Sequence, residues 1–183
     1  MKSPAWSYTS LTAYENCPRQ YLHLRVLKDF KDVPGEAAMW GQEVHKALEL
    51  RVKDGTPLPD GMTQLENMAA RIASTPGQRL TEQQLAITND FKPTEWFGKD
   101  AWCRGIVDVA VVGRAKITAL DWKTGKKKLD STQLKLFAGL LFSHYPEVEV
   151  VHTGFVWLKE PKGKMVDRDK FERDDIPSIW QEF

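Results

Sequence analysis

Cysteine is scarce in this 183-residue sequence. Its two copies, Cys17 and Cys103, exclude a disulfide framework and cannot alone fill a four-cysteine metal or iron–sulfur site. Long hydrophobic runs are missing as well: no stretch reaches the ~18 apolar residues that a membrane-spanning helix needs. The opening residues, Met1 to Trp6, carry no apolar core of a signal peptide. These absences lead us to expect a protein of a reducing, cytoplasmic compartment with no membrane partner. An excess of one charge is lacking too. With 26 Lys+Arg against 25 Asp+Glu the net charge is +1, which makes no global case for nucleic acid, so any such case rests on where the charges sit. There is no internal repeat and no low-complexity tract. A phosphate-binding loop is also absent, since Gly125-Lys126 lacks the upstream glycine at the required spacing. ATP is therefore not implied.

What is present reads as a folded α/β chain. Apolar residues at 42% and charged residues at 28% suit a soluble globule with a full core. The length suits one domain over 1–183, divided into a helical part (1–75), a sheet core (79–158) and a tail (159–183). A short first helix starts near Leu11 and ends near Cys17-Pro18, and Tyr21, Leu22, Leu24, Val26 and Leu27 follow as an apolar stretch. A longer helix over 36–53 carries Trp40, Val44, Leu48 and Val52 every four residues, and Gly55 with Pro57 stops it. A further helix over 62–74 carries Leu65, Met68 and Ile72. The period then changes. Residues 80–88, 101–112 and 116–123 read as a three-strand meander, 131–144 as a helix facing inward through Leu134, Phe137, Ala138 and Leu141, and 148–158 as a last strand. Strand, crossover helix, strand implies a parallel, right-handed unit. The expected fold is a mixed four-stranded sheet with helices on both faces.

Three features within that sheet carry chemistry. Asp108 lies among valines in a strand, where an unpaired carboxylate costs several kcal/mol unless it is hydrogen-bonded or bound to a cation. Asp121 and Lys123 end the next strand on one face, with Trp122 pointing away. Glu82, in the first strand on the face of Leu80 and Ala86, offers another oxygen ligand. A one-residue register slip would exchange it with Gln83. Two carboxylates on neighbouring strands with a lysine beside them suit metal-assisted phosphodiester cleavage. The carboxylates hold a hard divalent ion, and the lysine stabilises charge or positions water.

Gly105-x-x-Asp108 followed by Asp121-Trp-Lys123-Thr-Gly125 resembles the core of the PD-(D/E)XK nucleases. The RecB-type and CRISPR-associated or phage exonucleases are the most similar branch. Ser10-Leu-Thr-Ala-Tyr14…Cys17-Pro18-Arg-Gln-Tyr21 is similar to that group's N-terminal segment, Gly41-x-x-x-His45 to its histidine helix, and Gln133 to its glutamine motif. The resemblance implies a restriction-endonuclease-like core and a Mg²⁺- or Mn²⁺-dependent deoxyribonuclease. In that reading Asp108 and Asp121 are the central metal ligands, with His45, Glu82 and the Trp122 carbonyl as further ligands. Lys123 is the catalytic lysine, and Gln133 contacts substrate or holds Lys123. The iron–sulfur members pair an early cysteine with a later trio, and nothing beyond Cys103 is cysteine here. No cluster is expected, and Cys17 is expected to be a small packed residue.

The implied activity is a stand-alone exonuclease on free DNA ends, single strands preferred to duplex, in recombination, repair or phage DNA processing. A phage-encoded protein of this kind would work in the host cytoplasm. Partners would be DNA, recombination proteins or a second copy of the chain. Two rivals stay open: a structure-specific endonuclease, and a non-catalytic DNA-binding module on the same fold. Blander readings exist for single residues. Asp108 alone could cap a turn, His45 alone could be a satisfied boundary histidine, and Gln133 could be only a first-turn residue. Among the seven tryptophans, most of them core, Trp96 is the best candidate for base stacking.

Charge adds one expectation. Residues 114–135 carry seven basic residues against Asp121 and Asp130 and would frame the site, with Lys126, Lys127 and Lys128 as substrate contacts. Residues 159–175 alternate in sign and read as a solvated surface. The apolar tail Ile176, Ile179, Trp180 and Phe183 either docks on the body or meets a second copy.

Overall fold

The structure is a computed structural model that describes residues 5–128, 130–161 and 163–183. The first four residues of the start read for a leader lie outside them. Helix α1 (Tyr8–Asn16) begins with a reciprocal cap: the Ser7 hydroxyl accepts the Ser10 N–H, and the Ser10 hydroxyl accepts the Ser7 N–H. Pro18 restarts the chain as α2 (Pro18–Tyr21), capped by Cys17, whose Sγ accepts the Gln20 N–H at 3.4 Å. Cys17 is thus a half-buried cap rather than a packed residue. The apolar stretch that follows forms a π-helical turn, Leu22–Leu27, and leaves Leu22, Val26 and Leu27 exposed. Helix α3 (Glu36–Asp54) buries Val44, Leu48 and Val52 and ends at Gly55, where φ is 82°. Trp40, expected to begin that stripe, is 42% exposed, and Gly41 occupies the buried position beside it. A 3-10 turn, Thr63–Leu65, leads into α4 (Glu66–Ala73).

The sheet is formed by β1 (Gln78–Ile87), β2 (Pro93–Thr94), β3 (Cys103–Val112), β4 (Lys116–Lys123), β5 (Val150–Trp157) and β6 (Val166–Glu172). Its order is β2-β1-β3-β4-β5-β6. Between β4 and β5 runs α5 (Thr132–His144), and these two strands are parallel while every other neighbouring pair is antiparallel. The mixed sheet and its crossover are as expected, but six strands replace four. The two additional strands lack an apolar signal. β2 is only two residues in the 89–100 connection. β6 alternates Asp167, Asp169 and Phe171 on its more buried side with Arg168, Lys170 and Glu172 outside, so a sheet edge is made from charges. Charged edges of this kind discourage further strand addition.

Two cores sit on opposite faces. Val44, Leu48, Leu65 and Ala69 of the α3–α4 side pack on Val109, Trp122 and Val156. On the other side α5 packs Leu134, Phe137 and Leu141 against Val107, Ile117 and Val151. Leu136, Leu140 and Phe142 are buried as well, because the tail helix α6 (Ile176–Trp180) brings Ile179 and Trp180 into the same core. Trp180 stacks on Phe91, and Phe183 stacks on Trp6. The tail docks on the body. A helix apolar on nearly every side is stable only when covered on nearly every side, which is what α6 provides. Among the described residues no helix is long and apolar enough to cross a membrane.

Candidate active site

The site forms where two strands part. The β3–β4 ladder runs from the Val112–Ile117 pair to the Val109–Leu120 pair and stops. Beyond it the Trp122 N–H donates to the Asp108 carboxylate, at 2.7 Å, instead of to a β3 carbonyl. Asp108 thereby wedges a side chain where a backbone partner would lie. The alternation of β3 slips at this point: Val107 packs in the α5-side core and Val109 in the α3-side core. β1 is disturbed at the same level. Its ladder with β3 skips the Glu82–Asp108 pair, and Glu82 has φ of 48°, rare for a side chain with a Cβ. Leu80 accordingly packs on the α5 side while Glu82 turns to the α3 side. This corrects the expectation that they share a face.

Helix α3 supplies the third element. Gly41 lies so close to the end of β4 that a Cβ there would be 3.0 Å from Thr124 Oγ1. That approach, one turn upstream, sets His45 Nδ1 3.3 Å from Asp108 Oδ1. Ligand-capable atoms of His45, Glu82 and Asp108 all lie within 4.8 Å of one another. His45 and Glu82 border a cavity of about 500 Å³ between α3 and β1, lined also by Gly41, Lys46 and Thr124.

The fourth element is on the α5 side. Lys123 Nζ lies 2.6 Å from Asp121 Oδ2 and donates to Gln133 Oε1 at 2.8 Å, while Gln133 Nε2 donates to Asp121 Oδ1 at 3.2 Å. The three side chains close a ring, and the Lys123 ammonium also stands 4.8 Å from the centre of the Phe155 ring. Asp121 Oδ2 is buried, and among the described residues the Lys123 ammonium is the group that faces it. Trp122 between them buries its indole under α3.

Asp108 and Asp121 are the buried carboxylates of the described chain, 7% and 5% exposed. Burial first, and then repulsion from Asp108, push the Asp121 carboxyl up to about 6 against the pull of Lys123. Burial and Asp108 raise Glu82 in the same way. For His45, burial works downward, but the Asp108 hydrogen bond and the charges of Asp108, Asp121 and Glu82 outweigh it and hold the imidazole above its ordinary value. All three shifts report crowded negative charge, around two buried carboxylates with His45 half-buried and Glu82 exposed at the edge. A hard divalent cation relieves that condition, and oxygen-rich donors with one imidazole fit it.

The structure brings His45, Glu82, Asp108, Asp121, Lys123 and Gln133 together and separates the others. Lys126 and Lys128 are exposed on the loop after β4, whereas Lys127 is bound to Asp167 of β6 at 2.5 Å. Lys135 pairs with Glu182 of the tail. Arg114 and Lys116 stand at the opposite end of β4, roughly 23 Å from Lys123 at 3.3 Å per residue. The basic run therefore does not frame the site as its sequence suggested. Two residues escaped sequence reasoning. Thr124 follows the lysine directly and could have been read from that position, and Arg104, in a strand of valines, was as anomalous as Asp108.

The model of the PD-(D/E)XK nuclease superfamily matches residues 5–178. No curated protein matches the sequence. Among solved structures, a putative exonuclease from Eubacterium rectale is similar at 12% identity and a TM-score of 0.50, with 97% of this chain and 76% of that one covered. SSO0001 is similar at 13% identity and a TM-score of 0.45, covering 100% of this chain and 76% of its own. At such identities the likeness concerns the fold alone.

Proposed function

The chain belongs to the PD-(D/E)XK nuclease superfamily, and from that premise we propose that it is a metal-dependent exonuclease acting on free, single-stranded DNA ends. The observation that carries the reading is the fork itself. Two buried carboxylates share it, with a histidine and a glutamate on one side and a lysine held by a glutamine on the other.

Asp108, Glu82 and His45 would hold Mg²⁺ or Mn²⁺, and Asp121 would add an oxygen from across the fork, where Lys123 and Gln133 now engage it. When bound, the ion supplies Lewis-acid polarisation of the phosphate and acidifies a water. The rest belongs to side chains. Lys123, fixed by Asp121 and Gln133, presents an N–H to the attacking water or to the charge growing on the phosphate oxygens. The water oxygen bonds to phosphorus as the P–O bond to the leaving nucleotide breaks; the attacking water gives up one proton to solvent, and the leaving oxygen takes one from solvent. Gln133 gives the ammonium a second, neutral acceptor beside Asp121 and so fixes its direction. Exposed Lys126 and Lys128 lie near enough in sequence to meet the phosphate backbone.

End-labelled linear and circular single-stranded DNA, incubated with Mg²⁺ or Mn²⁺ and then with EDTA, tests the reading. Linear strands should shorten in metal, circles should persist, and EDTA should stop the reaction. Cutting of circles would make the enzyme an endonuclease. Absence of metal-dependent cutting on both substrates would overturn the catalytic reading in favour of a DNA-binding module.

A further inference from the structure

A second cleft, of about 340 Å³, opens on the α5 side of the fork and shares Gln133 with it. Its origin lies in the parting of β3 and β4. Where β4 has left, the chain before α1 takes its place for one step. Trp6 bridges Cys103 in parallel, its carbonyl accepts the Arg104 N–H at 2.8 Å, and its N–H donates to the Trp102 carbonyl at 3.0 Å. Between that bridge and Asp108, residues 105–107 have a strand partner on the β1 side only. The cleft is this gap, walled by the start of α1, by β3 and by Phe137 of α5. Gly105 keeps it narrow, since a Cβ there would strike Leu140 of α5 at 2.6 Å.

Its lining is amphipathic in a particular way. Ile106 is a strand residue 38% exposed, and it lines the cleft with Trp96 and with the edge of Phe137, itself only 3% exposed. The Arg104 guanidinium lies 5.6 Å from the centre of the Trp96 ring and 5.8 Å from that of Phe97, and Phe97 is itself 84% exposed. Arg104 Nε is buried and has no hydrogen-bond partner among the described residues. A guanidinium laid on aromatic faces leaves its N–H edge free for a planar or tetrahedral oxyanion. The first turn of α1, which carries no acidic residue, adds a positive helix end. The neighbouring carboxylate, Asp130, is already engaged by the Tyr8 hydroxyl and the Thr132 N–H.

We propose that this cleft holds one unpaired nucleotide of the strand that enters the fork, with its base against Ile106, Phe137 and Trp96 and its phosphate on the Arg104 edge. The inference rests on the nuclease reading and deepens it by assigning the residues that would select a single strand over a duplex. Arg104 lies four residues before Asp108 on β3, roughly 13 Å away, so the bound nucleotide is a near neighbour of the reacting phosphate. A cleft of this size takes one base, and a base can enter it only when unpaired. The Watson–Crick edges of a duplex leave nothing to insert.

The test is fluorescence anisotropy with a labelled single-stranded oligodeoxynucleotide and a blunt duplex, in EDTA, on the wild type and on Arg104→Ala, Trp96→Ala and Trp96→Phe. Thermal melts check that each variant is folded. Single-strand binding should weaken roughly tenfold to hundredfold in both alanine variants and stay near wild type in Trp96→Phe, with duplex binding unchanged. In cleavage, Arg104→Ala should raise KM while kcat holds. Unchanged single-strand binding in both alanine variants, or an equal loss for duplex, overturns the proposal. The two readings fail separately. A wild type that cleaves while its alanine variants bind normally loses only the cleft. A wild type that never cleaves, with variants that lose single-strand binding, loses only the chemistry.

Discussion

The two ends of the β3–β4 pair are built from similar residues and do opposite things. At the closed end, residues 109–112 and 117–120 are laddered in full, mostly valine, alanine and isoleucine, and the basic residues Arg114 and Lys116 merely finish a turn. At the open end the ladder is given up, and Asp108 occupies the gap by accepting the Trp122 N–H. A few backbone hydrogen bonds, each worth about 1 kcal/mol net, are exchanged for a place where two carboxylates can be dry and close. The closed end stabilises the fold. The open end carries charge that the fold by itself does not favour.

The largest contrast between the ends should be in activity. Asp108→Ala, Asp121→Ala or Lys123→Ala should lower cleavage roughly 10³-fold or more, with DNA binding retained. Arg114→Ala and Lys116→Ala, at the closed end, should stay within about twofold. Equal losses at both ends, measured on the same labelled strand, would break the comparison.

A smaller effect is expected from the helix that serves the open end. Gly41→Val adds two methyl groups beyond a Cβ that would itself be 3.0 Å from Thr124 Oγ1, more than a turn of the Thr124 side chain relieves, so α3 is expected to shift and carry His45 away from Asp108. Displacements of about 1 Å cost up to ~10²-fold in rate. Cleavage should fall by roughly that much in a protein that still folds. Adding His45→Ala to Gly41→Val should then cost little more; full additivity would mean the two act independently.

Much of this was legible in the sequence, and the reasons are local. Asp108 among valines, Asp121 and Lys123 two residues apart, and Gln133 at a helix start are anomalies of pattern, visible without coordinates. β4 lies where its alternation put it, at Lys116–Lys123. What stayed hidden depends on distant partners. Nothing in Lys127 or Lys135 announces Asp167 or Glu182, and pairing with them removes both lysines from the positive surface. β6 has charges where a strand usually shows an apolar face, and it is held by pairing with β5. The slip at Glu82 needs a positive φ that no glutamate signals. Trp6 finds its bridge to Cys103 only because β4 has departed.

The smallest contrast concerns stability and pH. Asp121, Glu82 and His45 all titrate higher in the fold than when unfolded, so each favours folding while protonated. For the carboxyls that contribution is complete below about pH 4 and is lost as pH rises through the folded values, about 6 for Asp121. His45 adds a loss that begins near its ordinary value of 6.5 and completes above it. The metal-free protein should therefore lose stability from its open end as pH rises from about 4 through the Asp121 value of about 6 and on through the titration of His45. Mg²⁺ or Mn²⁺ should raise the Tm by more at pH 8 than at pH 5. An increment independent of pH would place the ion elsewhere.

The central claim, that the open end of the strand pair is a cation site, is tested most directly by titrating Mn²⁺ into the protein and following free Mn²⁺ by electron paramagnetic resonance. The wild type and Arg114→Ala should bind alike and saturably, and Asp108→Asn should bind at least about tenfold more weakly. Wild-type affinity in a folded Asp108→Asn protein would contradict the account.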